Sequence, residues 1–397
     1  MLAGSHTPGD AVTIDRRLRS GDAPNGALLA IWLLTSLCIA VAAMAWPVAA
    51  TGKSSTATIL PLLVGCAALA VAMFALGRTA WRLLGREACI ATCLLLPLNP
   101  LLLSVFLPQG QPLVAWQLAA TACAVWSLSH RNAVAGATMA GCAMGIGCAL
   151  DPALWPIAAA LGVLLFVRWL GNHHLGGEFT GFLKGLVAVS MAGLAMDEIF
   201  GVAACASARL APFVALAILL GGSLTLGRLP RAAPAVLVGG MAATVAASLA
   251  AAALLPGCAG GPLASIAPSA AWPQGGALMA ALLPLTLAMG AAVYLWRSNE
   301  AWLRCWWRNY VCLLGAAGLG GAMAPSLLPV AAMLAVMPLG WLVAQLLFGG
   351  QRGKRSAWRP ASVAVVALAA SVLASAAQPA PGQAAARAPD TSAARQR

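Results

Sequence analysis

Residues 133–150 read AVAGATMAGCAMGIGCAL, eighteen residues without one charge, and their reading decides the fold. At 1.5 Å per residue a helix of this length covers about 27 Å, close to the roughly 30 Å of a bilayer's hydrocarbon. The stretch is continuously apolar instead of alternating, so it reads as a spanning helix and not as a barrel strand. Comparable runs recur on both sides of it. The candidate spans are 26–50, 58–77, 88–107, 112–129, 133–150, 153–170, 183–204, 211–227, 233–255, 275–296, 309–324, 328–349 and 361–377. About thirteen such runs in 397 residues predict an all-α, polytopic transmembrane bundle.

Composition excludes the main alternatives. Hydrophobic residues make up 61% of the chain and charged residues 8%, with a mean hydropathy of +0.88, against about 25% charged residues in a soluble domain. So few charges cannot coat a water-soluble surface. The net charge of +13 does not point to nucleic acid, because Lys and Arg are scattered through short loops and form no stripe with interleaved aromatics. The eleven cysteines fall mostly inside apolar runs, where Cys acts as a small hydrophobe. Cys89 with Cys93 and Cys142 with Cys148 lack a His or acidic partner at ligand spacing, so neither a metal centre nor a disulfide scaffold is expected.

The division of the chain follows. Residues 1–25 form a polar leader, 26–377 a multi-span transmembrane domain, and 378–397 a disordered tail of Ala, Pro, Gln and Arg. The run after the leader is too long for a cleavable signal. With the N-terminus cytoplasmic, alternation places Arg16, Arg17, Arg19, Arg78, Arg82, Arg86, Arg131, Arg168 and Lys184 on that side. Arg228, Arg231, Arg297, Arg304, Arg308, Arg352, Lys354, Arg355 and Arg359 join them, and the other side keeps Lys53, Arg209 and three residues of the tail. That asymmetry is what the positive-inside rule requires. Trp296, Trp302, Trp306, Trp307 and Tyr310 around Arg304 and Arg308 read as an interfacial aromatic belt.

Ionisable residues at membrane depth cost at least about 2.5 kcal/mol each, so each is a functional suspect. Asp197 and Glu198 sit deep in the run 183–204, or at its outer boundary near Arg209 if the span is shorter. Asp151, between Leu150 and Pro152, suits an outer turn where it caps the next helix. His173, His174 and Glu178 read as a solvated cytoplasmic loop, with metal binding as the weaker reading. The loop 256–274 is the longest on the outer face and carries no charge; Trp272 among its Gly and Pro residues suits a lid.

Several motifs are similar to those of bacterial GT-C type glycosyltransferases related to the dolichyl-phosphate-mannose protein mannosyltransferases. They are Asp22-Ala23-Pro24-Asn25-Gly26 followed by Trp32, Ala80-Trp81-Arg82-Leu83-Leu84-Gly85, Pro97-Leu98-Asn99-Pro100, Trp116-Gln117, the stretch from Ala135-Gly136 to Asp151-Pro152, and Pro256-Gly257-Cys258-Ala259-Gly260-Gly261-Pro262. The resemblance implies a GT-C-like bundle in a bacterial inner membrane. It implies transfer of a sugar from a polyprenyl phosphate to an envelope glycan or protein, with a divalent cation if the protein is active. On this reading Asp22 and Asp151 are the catalytic carboxylates, Asp151 with Gln117 stands on the acceptor side, and Trp116, Gln117 and Trp272 contact substrate.

The departures bear on activity. On this resemblance the family's first membrane helix is expected to have no counterpart; Ile31 stands where the family has His before Trp, and Gly110-Gln111-Pro112 stands in place of Asp-His-His. Sugar transfer needs a carboxylate to deprotonate the acceptor and a cation or basic group on the leaving phosphate, and loss of activity is therefore a competing expectation. The resemblance would also put Asp22 outside and lay 26–50 on the outer surface, whereas Arg16, Arg17 and Arg19 favour a cytoplasmic N-terminus. Two rival readings remain. One is a transporter or lipid flippase coupled through Asp197 or Glu198; the other is a non-catalytic subunit that packs on a partner through small-residue faces such as 141–147.

Overall fold

The computed structural model describes residues 56–99, 102, 105, 112–130, 132–150, 154–172, 175–200, 206–229, 233–254, 275–324 and 327–348. Among them lie eleven helices: α1 (Thr56–Leu84), α2 (Arg86–Leu98), α3 (Pro112–Leu128), α4 (Ala133–Leu150), α5 (Trp155–Gly171), α6 (Gly176–Phe200), α7 (Ala206–Gly227), α8 (Pro234–Leu254), α9 (Gly275–Ser298), α10 (Ala301–Met323) and α11 (Leu328–Phe348). Each takes up one of the apolar runs read from the sequence. The spans 26–50 and 361–377 lie outside the described residues. Six of the helices are long and apolar enough to cross a membrane over an unbroken window, in α1, α4, α6, α7, α8 and α11. The protein is an all-helical polytopic bundle.

Two groups of helices share one core. α3 lies between α1 and α4, and α4 packs on α6; α11 gathers α2, α9 and α10, and reaches α3. The core is rich in alanine, with Ala68, Ala72, Ala115, Ala122, Ala140 and Ala317 all buried. Small side chains let helix backbones approach, and dispersion and backbone contacts then replace the hydrophobic drive that lipid does not provide. α7 and α8 pack on each other and, through α7, on α6.

Two places require glycine. Gly85 alone joins α1 to α2, with φ 98° and ψ −176°, a backbone region that L side chains avoid. Its N–H reaches back to the Ala80 carbonyl at 3.1 Å, and its own carbonyl accepts from Cys89 N–H at 3.1 Å, so one residue both ends α1 and opens α2. Gly85→Ala is expected to lose about 1–3 kcal/mol through this conformation alone, read as a lower melting temperature of the detergent-solubilised protein. An unchanged melt would mean that the corner relaxes without cost.

The second place is the crossing of α4 and α6. A Cβ on Gly141 would run into the carbonyl oxygen of Phe182, and one on Gly185 into that of Thr138, while Gly145 lies 2.9 Å from Val189 Cβ by the same construction. Gly141 and Gly185 meet across the crossing, with Gly145 four residues on in α4 and Gly181 four residues back in α6, a small-residue spacing on each helix. Gly147 meets Ala120 and Leu154 instead. The face 141–147, offered from the sequence to a partner protein, is thus largely used within the chain.

The aromatic belt needs correction. Trp307 is fully buried and Tyr310 is 3% exposed. Trp306 stacks on Tyr310 with ring centroids 5.1 Å apart, and Trp307 stands edge-on to both, at 5.1 and 5.4 Å. The Tyr310 hydroxyl donates to the Leu334 carbonyl of α11. These rings are core pieces that tie α10 to α11. The sequence reading placed them at the interface because Arg304 and Arg308 alternate with them; both arginines are exposed while Trp307 and Tyr310 turn inward.

Candidate functional site

The core polar residues of this bundle are mostly satisfied by their own helices. The buried hydroxyls of Thr79, Thr92 and Thr121 donate to the carbonyls of Ala75, Ala88 and Gln117, four residues back, at 2.8, 2.7 and 3.0 Å. Gln117 is the fullest contrast, beside single unpartnered N–H groups on Trp126, Arg168 and Trp307. It lies in α3, 0% exposed, and neither Oε1 nor Nε2 has a hydrogen-bond partner among the described residues. An amide needs up to four partners, and leaving one buried and unsatisfied costs about 1–3 kcal/mol. Beside it Trp116 is half-buried and packs against the core. Such a break with the packing rules is expected at functional or strained sites, which makes Gln117 the candidate binding position.

The other residues singled out from the sequence are placed less fully. Asp22, Asp151 and Trp272 lie outside the described residues, as do His173 and His174. Asp197 and Glu198 fall in the last turn of α6, which ends at Phe200. Among the described residues no three His, Cys, Asp or Glu come together at metal-binding distance.

Glu178 departs from its predicted solvated loop. It lies in the first turn of α6, its side chain 4% exposed, with Oε2 2.8 Å from Arg168 Nη1 and Oε1 accepting from Arg168 Nη2 at 3.1 Å. The fork-to-carboxylate geometry is bidentate and fastens the end of α5 to the start of α6. Trp169 and Phe179, the next residue on each helix, stack with centroids 5.9 Å apart and reinforce the joint.

Arg168 also stands on the rim of a cavity of about 40 Å³ between α3, α5 and α10. Leu128, Leu164, Trp306 and Asn309 complete the half-exposed rim, and Val125, Leu161, Leu165, Tyr310 and Leu313 form the buried floor. Sequence reasoning missed both the ion pair and this cleft. One signal was available: a basic residue closing one apolar run and an acidic residue ten positions on, across a short turn, fall at the same membrane depth when the two helices are antiparallel.

No protein-family model matches the chain, and no curated protein matches its sequence. Among solved structures it is similar to the crystal structure of the Archaeoglobus fulgidus oligosaccharyltransferase in the apo form, with a TM-score of 0.51 and 12% sequence identity. The match covers 85% of this chain and 48% of that one, so the chain spans about half the length of the structure it resembles. At that identity the likeness speaks for the fold alone, and the fold of this chain is that of an all-α, GT-C-like transmembrane bundle.

Proposed function

We propose that this chain is a membrane glycosyltransferase-like protein that binds a polyprenyl-phosphate-linked sugar and transfers the sugar to an envelope glycan or protein. The observation that carries the reading is the fold likeness to an oligosaccharyltransferase over 85% of the chain. The unpartnered amide of Gln117 supports the binding half of it, since Nε2 can donate to a phosphate or sugar oxygen and Oε1 can accept from a sugar hydroxyl. In the transfer step, Asp22 takes the proton of the acceptor hydroxyl, the freed oxygen attacks the anomeric carbon, and the bond from that carbon to the phosphate oxygen breaks, leaving phosphate on the lipid. Asp151 belongs to the acceptor side, and Trp116 and Trp272 to the substrate contacts. The setting is a bacterial inner membrane, and this chemistry requires Asp22 on the outer face with Asp151 and Trp272, the orientation the resemblance implies.

Native mass spectrometry of the protein purified in mild detergent tests this. The wild type is expected to carry a polyprenyl phosphate or its sugar ester. Gln117→Leu is expected to lose that lipid and to melt higher, because about 1–3 kcal/mol of unsatisfied amide is removed from the core. Asp22→Asn should keep the lipid and abolish transfer; unchanged glycan output from that variant would sink the catalytic assignment. A wild type free of polyprenyl lipid overturns the reading and turns attention to Asp197, tested by substrate-dependent proton uptake.

A further inference from the structure

The cleft between α3, α5 and α10 holds a cationic donor that its ion pair does not exhaust. Arg168 gives Nη1 and Nη2 to Glu178, while its Nε is buried and without an acceptor among the described residues. A charged N–H left against leucines is costly, and an acceptor of stated position would relieve it. Asn309 adds an amide on the same rim. Arg168 lies three residues from the end of α5, about 4.5 Å along the axis, at the depth where a spanning helix meets headgroups. Below the rim the floor is apolar, made of Val125, Leu161 and Leu313 among others. The volume of about 40 Å³ is about three times what a single buried water takes up. That is room for a length of alkyl chain and too little for a sugar ring.

We propose that this cleft seats a glycerophospholipid. The Arg168 side chain turns its buried Nε–H toward the rim, where a phosphate oxygen accepts from it and from the Asn309 amide, and part of one acyl chain lies on the floor. The site is separate from the Gln117 position and does not rest on the glycosyltransferase reading. A two-chain phospholipid and a polyprenyl phosphate also differ in mass, so failure of either assignment is visible on its own.

The full chain, delipidated in mild detergent, is offered equal amounts of palmitoyl-oleoyl-phosphatidylglycerol and palmitoyl-oleoylglycerol, which has the same chains and no phosphate, and retained lipid is counted by native mass spectrometry. The expected result is one phosphatidylglycerol per protein, favoured over the diacylglycerol by about tenfold, the worth of one hydrogen bond to a charged group. Asn309→Leu removes the rim amide and Leu161→Phe fills the floor; each should cut retention by about tenfold. Asn309→Leu, at a half-exposed position, keeps the test open if the core variant fails to fold. Equal retention of the two lipids overturns the headgroup assignment. Wild-type retention by both variants, or none by the wild type, overturns the site.

Discussion

Replacing Gly185 by alanine is expected to be among the most damaging single changes in this chain. The added Cβ would meet the backbone on every side: besides the Thr138 carbonyl oxygen, it would lie 2.6 Å from Cys142 N and 2.9 Å from the Gly141 carbonyl carbon. A side chain can rotate away from such a clash, but backbone cannot, so α4 and α6 must part along their whole crossing. The contacts of Gly181 with Thr138 and of Gly145 with Val189 are then lost together. Overpacking of this kind costs about 3 kcal/mol, or about 4 °C in melting temperature for a protein of this size. Gly290→Ala is the control, because a Cβ there meets nothing within 4 Å; it should melt at or above the wild type, since alanine is the better helix former by about 0.5–1 kcal/mol. If the two variants melt alike, the close crossing of α4 and α6 is not how the protein packs.

Glu178→Ala carries the second large effect. The carboxylate is 4% exposed and holds both terminal nitrogens of Arg168, whose own side chain is 22% exposed. Removing one partner leaves a guanidinium in apolar surroundings, where breaking a buried pair costs about 3–5 kcal/mol. The partial exposure of Arg168 argues for the lower end, about 3 kcal/mol, because water reaches part of its charge. The pair need not be a net source of stability. Arg168→Leu combined with Glu178→Leu should recover most of the loss, since two apolar side chains avoid the cost of taking charges out of water. A double-mutant cycle on melting temperature measures the difference. A double variant as unstable as the single one would show that the pair supports α5 and α6 by more than mutual neutralisation.

How far the fold could be read from the sequence depends on where the charges stand. α4 spans Ala133–Leu150, the same limits the uncharged stretch predicts, because nothing polar interrupts it. α6 begins at Gly176, seven residues before the predicted start at 183, because Glu178 makes its first turns look like loop. α10 begins at Ala301 and not at 309, with Arg304 and Arg308 responsible. α1 runs on to Leu84 past the predicted end at 77, through Arg78 and Arg82. One cause covers all three: a charge near a helix end was read as leaving the helix. Glu178 stays by pairing, and Arg304 and Arg308 stay with exposed side chains whose long stems lie along the helix.

The candidate site was legible in part and by a different route. Gln117 was picked out by resemblance, with no physical reason attached; its unpartnered amide is a property of packing that no window of sequence displays. Arg168, Asn309 and Tyr310 come together from α5 and α10, elements well over a hundred residues apart in the chain. Their meeting depends on which helices are neighbours, and hydropathy is silent on that.

The hairpin of α7 and α8 has a consequence for how the molecule breathes. Among the described helices it is held through α7 on α6, and only 11% and 17% of the apolar windows of its two helices are buried inside the protein. Its own seam is tight: a Cβ on Gly222 would strike Thr244, and one on Gly240 would strike Leu226. A pair bound more closely to itself than to its neighbours opens as a unit. In hydrogen exchange α7 and α8 should therefore lose protection together and ahead of α3, α4 and α11, a two-helix piece that swings away from α6 while the rest of the bundle stays folded.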